Sequence, residues 1–434
     1  MACSGKISGI CAETREVQKS MSNMDTPLAR PIMIGKRHCD NRFVINAMEC
    51  CDADGSGNIS QSAFDRYRNF CEGGASLIIF ESFTVQYDSV ARKHQLGITE
   101  QNVEMLKKTI AALKAINSKP LLVIQLNHAG EISDNAFSRR ITVKQRYGFE
   151  GELVDAQYID NVIEDFVKAS KILYDIGADG VDLKFCHGYL ASQILRPYND
   201  RDWKYGGSWE NRRSFAFTMM EKVRKAIPDE NFLVGSKISM WEGFPGGMGC
   251  AGPDTPVMDL TESIDLCRGL SERGANFLIQ SNGSTKTTKS MHMPASYKPD
   301  DAYLQFTLTK VVRDNVLPET VVVGSAYSAL NSGNNILRGV APENKSLFAF
   351  GNNNIEHGFT DMVAIGRQAL ADPYLPIKYL EGREDEIKWC IACNKCLELL
   401  HRQQAVGCIV QDKKFAEILK EARLNSTVKL PQIP

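Results

Sequence analysis

The sequence has no long apolar run and no excess of either charge. None of its apolar segments approaches the ~18–20 residues that a membrane-spanning helix requires. The N-terminus, MACSGKISGICAETREVQKS, has no apolar core of the kind found in signal peptides. Lys and Arg total 51 against 52 for Asp and Glu, which gives no electrostatic basis for binding nucleic acid or an anionic membrane. These absences predict a cytoplasmic protein that binds neither membranes nor nucleic acid.

The sequence also lacks a disulfide pattern, although it contains 13 cysteines. Their number is odd and their spacing is scattered, and a reducing cytoplasm keeps such thiols free. Most of them occupy unremarkable positions. Four lie together near the C-terminus, at Cys390, Cys393, Cys396 and Cys408.

Eight short apolar runs follow one another along the chain, separated by helical patterns. The runs span residues 43–48, 75–82, 120–127, 180–184, 232–239, 276–281, 320–325 and 361–366. Each is almost continuously apolar, which is typical of strands buried on both faces. The helical patterns include residues 161–174, 208–227 and 261–273. Eight alternating units predict an α/β fold, a closed (β/α)8 or TIM barrel, in preference to an open doubly wound sheet.

The composition divides the chain into three parts. Residues 1–30 are polar and irregular, which predicts a loose N-terminal arm, and residues 31–385 contain the barrel. Residues 386–434 form a cysteine-rich segment that ends in an amphipathic helix, KKFAEILKEARLN. Within the barrel, the Asn- and Gly-rich residues 326–360 predict an irregular excursion between strands seven and eight.

One stretch of the barrel carries an unusual density of proton-handling groups. Lys184 ends the fourth strand, and His187 and Tyr189 follow in the next loop. Catalytic residues of α/β barrels lie at the C-terminal ends of the strands. Taken singly, each residue has a plain interpretation as a surface lysine or a satisfied histidine. Three together at one strand end predict an active site.

The same stretch resembles a known signature. Residues 187–215, HGYLASQILRPYNDRDWKYGGSWENRRSF, resemble the old yellow enzyme family, the FMN-dependent ene-reductases, with HGYL, PYN, YGGS and ENR in order. The resemblance extends over about residues 30–380. It implies a barrel that binds FMN and reduces the C=C bond of an α,β-unsaturated carbonyl compound, such as an enoate, an enoyl-CoA or a cyclic enone. It also implies NAD(P)H as an electron donor.

The resemblance assigns residues to the flavin ring. Gln125 ends strand three with an amide suited to the pyrimidine edge, and Lys237 on strand five stands where relatives usually have Arg. After strand one, the family's Pro-Met is Ala47-Met48, and the next residue, usually small or polar beside flavin O4, is Glu49. A carboxylate there disfavours flavin anions unless it is protonated, salt-bridged or turned away.

The resemblance also assigns a phosphate site. Gly324 and Ser325 end strand seven, and Gly366 and Arg367 end strand eight in the sequence IGRQALADP. Barrels commonly bind phosphate at the loops after these two strands. Each of these residues also has a plain structural interpretation, and their placement at several strand ends favours the flavin.

The chemistry implied by the family gives the first stretch its roles. His187 and Lys184 would polarise the substrate carbonyl, and Tyr189 would protonate the α-carbon. Relatives carry His or Asn where this sequence has Lys184. The alternative for Lys184 is a structural ion pair with Glu49.

The four C-terminal cysteines have the spacing CxxCxxC followed by a longer gap. Four thiolates in this arrangement can hold a [4Fe–4S] cluster. Zinc, which more often uses two separated CxxC pairs, and a reduced metal-free tail are the alternatives. The position and spacing resemble the iron–sulfur branch of the family, with 2,4-dienoyl-CoA reductase, 2-enoate reductase and trimethylamine dehydrogenase. There the cluster exchanges electrons with FMN.

The sequence ends soon after Cys408, whereas that branch continues into a nucleotide-binding region. We therefore expect either NADH bound directly over FMN or a separate electron-donor protein, such as a ferredoxin or flavoprotein, docked at a basic tail. The rival functions are an amine dehydrogenase of the trimethylamine type and a non-catalytic flavin and iron–sulfur electron-transfer subunit. The oligomeric state has no signature in the sequence.

Overall fold

Eight parallel strands close into a barrel in the computed structural model, which describes residues 23–294, 300–330 and 346–425. The strands are β1 (Phe43–Ile45), β2 (Leu77–Thr84), β3 (Leu121–Asn127), β4 (Gly180–Phe185), β5 (Leu233–Ser239), β6 (Phe277–Ser281), β7 (Val321–Gly324) and β8 (Met362–Ile365). Each pairs with its successor in the chain, and β8 closes on β1 with Val363 beside Phe43. The predicted (β/α)8 barrel is confirmed.

Helices surround the barrel. The main ones are α1 (Gln61–Glu72), α2 (Val103–Ile116), α3 (Ala156–Asp175), α4 (Trp209–Ala226), α5 (Thr261–Glu272), α6 (Asp300–Asp314) and α7 (Leu347–Glu356). Short helices follow β4 (Leu190–Leu195), β6 (Lys289–His292) and β8 (Arg367–Ala371 and Leu375–Leu380). Four of the main helices begin at a side chain that accepts a first-turn amide, namely Ser60, Asp155, Ser208 and Ser346.

The strand side chains alternate between two apolar layers. Ile79 and Val123 belong to the interior of the barrel, whereas Ile78 and Ile124 pack with helix residues in the outer core. A hairpin of strands Ile32–Ile34 and Arg37–Cys39 adds to the interior layer and covers the N-terminal end of the barrel. Polar strand residues are therefore left to the opposite, C-terminal mouth.

The described part of the N-terminal arm packs against the barrel. Asn23–Asp25 and Pro27–Ala29 form two 3₁₀ turns, and Leu28 is fully buried. The amide of Leu28 donates to Asn352 Oδ1 on α7 at 3.0 Å. Residues 1–22 of the predicted arm lie outside the described residues.

The predicted irregular excursion between β7 and β8 is wrong for its second half. Helix α7 occupies Leu347–Glu356, and residues 331–345 lie outside the described residues. Asn and Gly are poor helix formers, which is why the sequence favoured a loop. Ser346 caps the helix and Leu347 and Phe348 are buried, so capping and tertiary packing outweigh the low propensity.

The C-terminal segment lies against the mouth of the barrel. It contains helices Lys395–His401 and Lys413–Leu424, the second of which was predicted from its amphipathic pattern. Leu399, Val406 and Leu419 pack around Cys50, and the amide of Val406 donates to the carbonyl of Cys50 at 2.8 Å. In the described part of the chain, every helix is too short or too polar to cross a membrane.

Candidate active site

A cavity at the C-terminal mouth of the barrel contains about 930 Å³ of empty space, part of it open to solvent. Nearly all the predicted flavin and catalytic residues line it: Ala47, Met48, Glu49, Gln125, Lys184, His187, Tyr189, Lys237, Ser325, Gly366 and Arg367. Gly324 does not line it, because a side chain at this position would point toward Thr360 and Tyr327. The cysteine segment supplies Cys396 and Leu397 to the same wall.

Glu49 lies between two buried cations. Lys184 Nζ donates to its Oε1 at 2.9 Å, and Arg92 Nε donates to its Oε2 at 2.9 Å. Burial raises the pKa of Glu49, but Lys184 and Arg92 outweigh burial and hold it below its usual value. Glu49 is therefore ionised and salt-bridged, and Lys184 makes the structural ion pair that the sequence left as an alternative.

Tyr189 also contacts this carboxylate. Its hydroxyl donates to Glu49 Oε1 at 2.5 Å, and Lys184 Nζ lies 3.6 Å from the centre of its ring. Burial, followed by the charge of Glu49, raises the pKa of Tyr189 well above its usual value. Tyr189 consequently keeps its proton at neutral pH and is aligned by an ionised partner.

A hydrogen-bond network connects this cluster to the predicted flavin ligand Gln125. Ser82 Oγ accepts from Lys184 at 2.7 Å and donates to Gln125 Oε1 at 2.5 Å. Gln125 Nε2 donates to Asp182 Oδ2 at 2.6 Å. The side chains come from the ends of neighbouring strands, so the amide of Gln125 has a fixed orientation with one N–H and one lone pair still available.

His187 has a different environment from Lys184. Its backbone is in the left-handed region, with φ of 64°, and its Nε2 lies 2.7 Å from Ser281 Oγ. Burial, and then the nearby His292 and Lys237, lower the pKa of His187 well below its usual value. His187 is therefore a neutral imidazole, which acts on a ligand through hydrogen bonding and not through charge.

The cavity lining carries more positive than negative charge. Among the described residues, the lining cations are Arg92, Lys184, Lys237 and Arg367, against one carboxylate, Glu49. Burial lowers the pKa of Lys237, which donates to Asn46 Oδ1 at 2.9 Å. This donor set fits FMN: Gln125 and Lys237 suit the polar edge of the ring, and Ser325 and Arg367 suit a phosphate.

The four cysteines line a second, smaller cavity beside the first. Cys390 is buried, Cys393 is exposed, and Cys396 and Cys408 are partly exposed. Burial raises the pKa of Cys396 to about 12, and the Arg367 charge opposes that rise. Within the described residues, no three His, Cys, Asp or Glu side chains converge on one metal ion. The donor set, four thiols on one cavity, matches a [4Fe–4S] cluster in number and type, since such a cluster takes one thiolate on each iron.

The sequence interpretation missed several residues of the first cavity. Asn46, Ser82 and Ser281 were detectable, because each lies at or next to the end of a barrel strand. Arg92 and His292 lie in or after long connections, where no spacing rule predicts that a side chain returns to the cavity. His292 Nδ1 is buried and has no hydrogen-bond partner among the described residues.

A parallel barrel with a cation-rich cavity at its C-terminal mouth is the architecture of TIM-barrel enzymes. The model of the NADH:flavin oxidoreductase / NADH oxidase family matches residues 27–262, more than half of the chain. The chain therefore belongs to this family, and the resemblance to old yellow enzymes drawn from residues 187–215 is confirmed.

Curated relatives match almost the whole chain. NADH oxidase from Thermoanaerobacter brockii is 27% identical over 407 residues, which cover 91% of this chain and 54% of that protein. Cinnamate reductase from Clostridium sporogenes is 25% identical over 420 residues, which cover 88% and 56%. The chain thus spans about half the length of these relatives.

Solved structures share the fold at low identity. The chain matches 2-naphthoyl-CoA reductase with a TM-score of 0.72 at 20% identity, over 90% of this chain and 58% of that one. It matches the old yellow enzyme from Trypanosoma cruzi with a TM-score of 0.61 at 20% identity, over 81% and 91%. At these identities the likeness shows the fold.

Proposed function

We propose that the protein is an FMN-dependent ene-reductase. Its substrate is an α,β-unsaturated carbonyl compound, namely an enoate, an enoyl-CoA or a cyclic enone. The observation that carries the proposal is the convergence of Tyr189, His187 and Lys184 on one cation-rich cavity that fits FMN. The family membership and the relatives named for the reduction of cinnamate and 2-naphthoyl-CoA support it.

Each of the proposed catalytic residues has a separate role in the reaction. When bound, reduced FMN supplies hydride to the β-carbon of the alkene. His187 donates a hydrogen bond to the substrate carbonyl, and the charge of Lys184 stabilises the negative charge that develops there. Tyr189 gives its phenolic proton to the α-carbon. Arg92 opposes the rise in the pKa of Tyr189 that burial and Glu49 cause, and the opening to solvent allows the phenolate to regain a proton.

The cysteine segment gives the protein a second redox centre in this proposal. Cys390, Cys393, Cys396 and Cys408 hold a [4Fe–4S] cluster, which supplies or accepts single electrons when bound. The shared wall at Cys396 keeps that centre next to the flavin cavity.

Cofactor analysis tests this composition. Acid treatment should release FMN and no FAD, and the anaerobically purified protein should contain about four irons per chain. FAD in place of FMN would contradict the flavin site. Stoichiometric zinc without iron would remove the second redox centre.

Turnover of the reduced protein tests the reaction. Dithionite-reduced protein, mixed anaerobically with cinnamate or cyclohexenone, should reoxidise its flavin and yield the saturated product. Tyr189→Phe should retain FMN and slow this step by about 10²-fold or more, within the range for general acids. Tyr147→Phe is the control, because Tyr147 is 97% exposed.

Each possible result contradicts a different part of the proposal. A Tyr189→Phe rate equal to that of the native protein would move the acid to another group. Absence of alkene reduction, together with flavin reduction by trimethylamine, would favour the amine dehydrogenase. Absence of both, with FMN bound, would favour an electron-transfer subunit.

A further inference from the structure

Arg367 is a charged residue that lines both cavities. It begins the short helix after β8, and only 5% of its surface is exposed. One terminal nitrogen donates to Asn394 Oδ1 at 2.5 Å, and the other donates to the carbonyl of Pro294 at 2.7 Å. A planar guanidinium with five N–H groups can serve several acceptors at once, which the point charge of a lysine cannot.

Asn394 occupies the turn between two of the cysteines. It follows Cys393, and its backbone is left-handed, with φ of 56°. Its carbonyl accepts the first amides of helix Lys395–His401, from Leu397 at 3.1 Å and Glu398 at 3.2 Å. Asn394 therefore sets the path of the chain that carries Cys393 into the helix that carries Cys396. Asn tolerates this backbone conformation better than most residues.

The Arg367 side chain thus fixes the cysteine turn through a side-chain acceptor while its charge faces the flavin cavity. Arg367 is buried and Asn394 is half-buried, so water competes little for the guanidinium side of this charge-assisted bond, which strengthens its hold on the turn. The Pro294 carbonyl lies in the connection after β6, so the guanidinium is held by this connection as well as by the cysteine turn.

We propose that Arg367 is a positioning residue shared by the two redox centres. It holds the cysteine turn through Asn394 and forms the cationic wall of the flavin cavity, so cluster retention and FMN binding depend on one side chain. The proposal rests on the proposed function, because it requires both FMN and the cluster.

Three variants separate the two roles. Asn394→Gly removes the acceptor on the cysteine side, accepts the left-handed backbone and leaves the charge in place. Arg367→Lys keeps a charge and loses the fork, and Arg367→Gln loses both. Gln404→Ala is the control, because Gln404 lies in the same segment and its side chain donates only to a backbone carbonyl.

The readouts are FMN affinity, the rate of iron loss to a chelator under anaerobic conditions, and the reduction potential of the cluster. Asn394→Gly should lose iron about tenfold faster with unchanged FMN affinity, because loss of a residue that orients a metal ligand commonly weakens metal binding by about 10–100-fold. Arg367→Lys should also lose iron faster. Arg367→Gln should lower the potential, because a cation stabilises the more negative reduced cluster, and Arg367→Lys should restore it.

The failures are distinguishable. Native protein with FMN and no iron would overturn the cluster assignment and this inference with it. If the native protein contains full iron and Asn394→Gly loses iron at the native rate, the inference alone would be overturned. An Arg367→Gln potential equal to the native value would remove the electrostatic part.

Discussion

Lys184 is held by structural contacts and also lines the candidate active site. It is 5% exposed and donates to Glu49 and Ser82, yet it also lines the cavity. Glu49 replaces a small or polar residue of the family pattern, and Lys184 replaces His or Asn. The two departures compensate each other, because the carboxylate neutralises one of two buried cations.

The first prediction follows from this pair. Removing one partner of a buried ion pair costs about 3–5 kcal/mol, and the remaining Arg92 contact should bring the cost of Lys184→Met to the lower end. In a Glu49→Gln background the same change should cost much less. Denaturant unfolding of the native protein, the two single variants and the double variant measures the coupling free energy between Lys184 and Glu49.

Binding of a phenolate ligand, which imitates the enolate, completes this test. If Lys184 also acts on the substrate, Lys184→Met should weaken phenolate binding and Lys184→Arg should be partly tolerated. A loss of stability with native phenolate affinity would leave Lys184 with only its structural role.

Strand-end residues were the predictable part of the site. Gln125, Lys237 and Ser325 follow from their place at the ends of apolar runs, because barrel topology brings those ends together. Arg92 could not be predicted, since its contact with Glu49 depends on the path of a long connection. The partner of Lys184 depended on that same geometry, which is why the sequence left two alternatives for it.

At the scale of secondary-structure elements, apolar burial holds the barrel strands in place, whereas the two C-terminal helices are held mainly by ion pairs. Helix Lys413–Leu424 buries only Leu419 among its described residues. Glu398 on the preceding helix receives Arg423 on this one, and also pairs with Lys395 and Arg402. These pairs hold two short helices together where little apolar surface is buried.

The second prediction concerns Glu398. Its hydrogen bond with Arg423, opposed by burial and reinforced by Lys395, lowers its pKa to about 2. Because folding lowers this pKa, the stabilisation by Glu398 is fully present above the pKa of the unfolded chain, about 4.3. It is lost as the pH falls toward 2. Glu398→Gln should therefore destabilise helix Lys413–Leu424 by about 1 kcal/mol at neutral pH, since the pairs are partly exposed.

Hydrogen exchange of the helix measures this effect. Protection at residues 413–424 should fall in Glu398→Gln at pH 7, and lowering the pH should bring the native protein toward the variant. Glu417→Gln is the control, because Glu417 lies on the same helix, is exposed and has no ion pair within the described residues. Equal protection in all three proteins would show that apolar packing alone holds the helix.

At the scale of the whole molecule, the cysteine cavity connects the surface to the flavin cavity. Cys393 is exposed, and Ile391 and Val410 beside it are 52% and 47% exposed. The C-terminal segment has fewer unpaired positive charges than the sequence predicted, because Lys395 and Arg402 pair with Glu398. Four lysines of the described C-terminal segment, Lys388, Lys413, Lys414 and Lys420, stay exposed and have no carboxylate partner among the described residues.

The last prediction is the route by which electrons enter. Exposed apolar residues at the cysteine cavity, with Lys388 and Lys413 close to them along the chain, suit an acidic one-electron carrier, such as a ferredoxin or flavoprotein. We therefore expect NADH alone to bleach the flavin slowly in stopped-flow mixing, and a reduced low-potential carrier to bleach it faster, with a rate that falls as salt rises. Lys388→Glu and Lys414→Glu should slow the carrier reaction and leave reduction by dithionite unchanged. Lys36→Glu, in the hairpin at the opposite end of the barrel, is the control and should change neither. Fast, saturable bleaching by NADH alone would instead place the donor directly over the flavin.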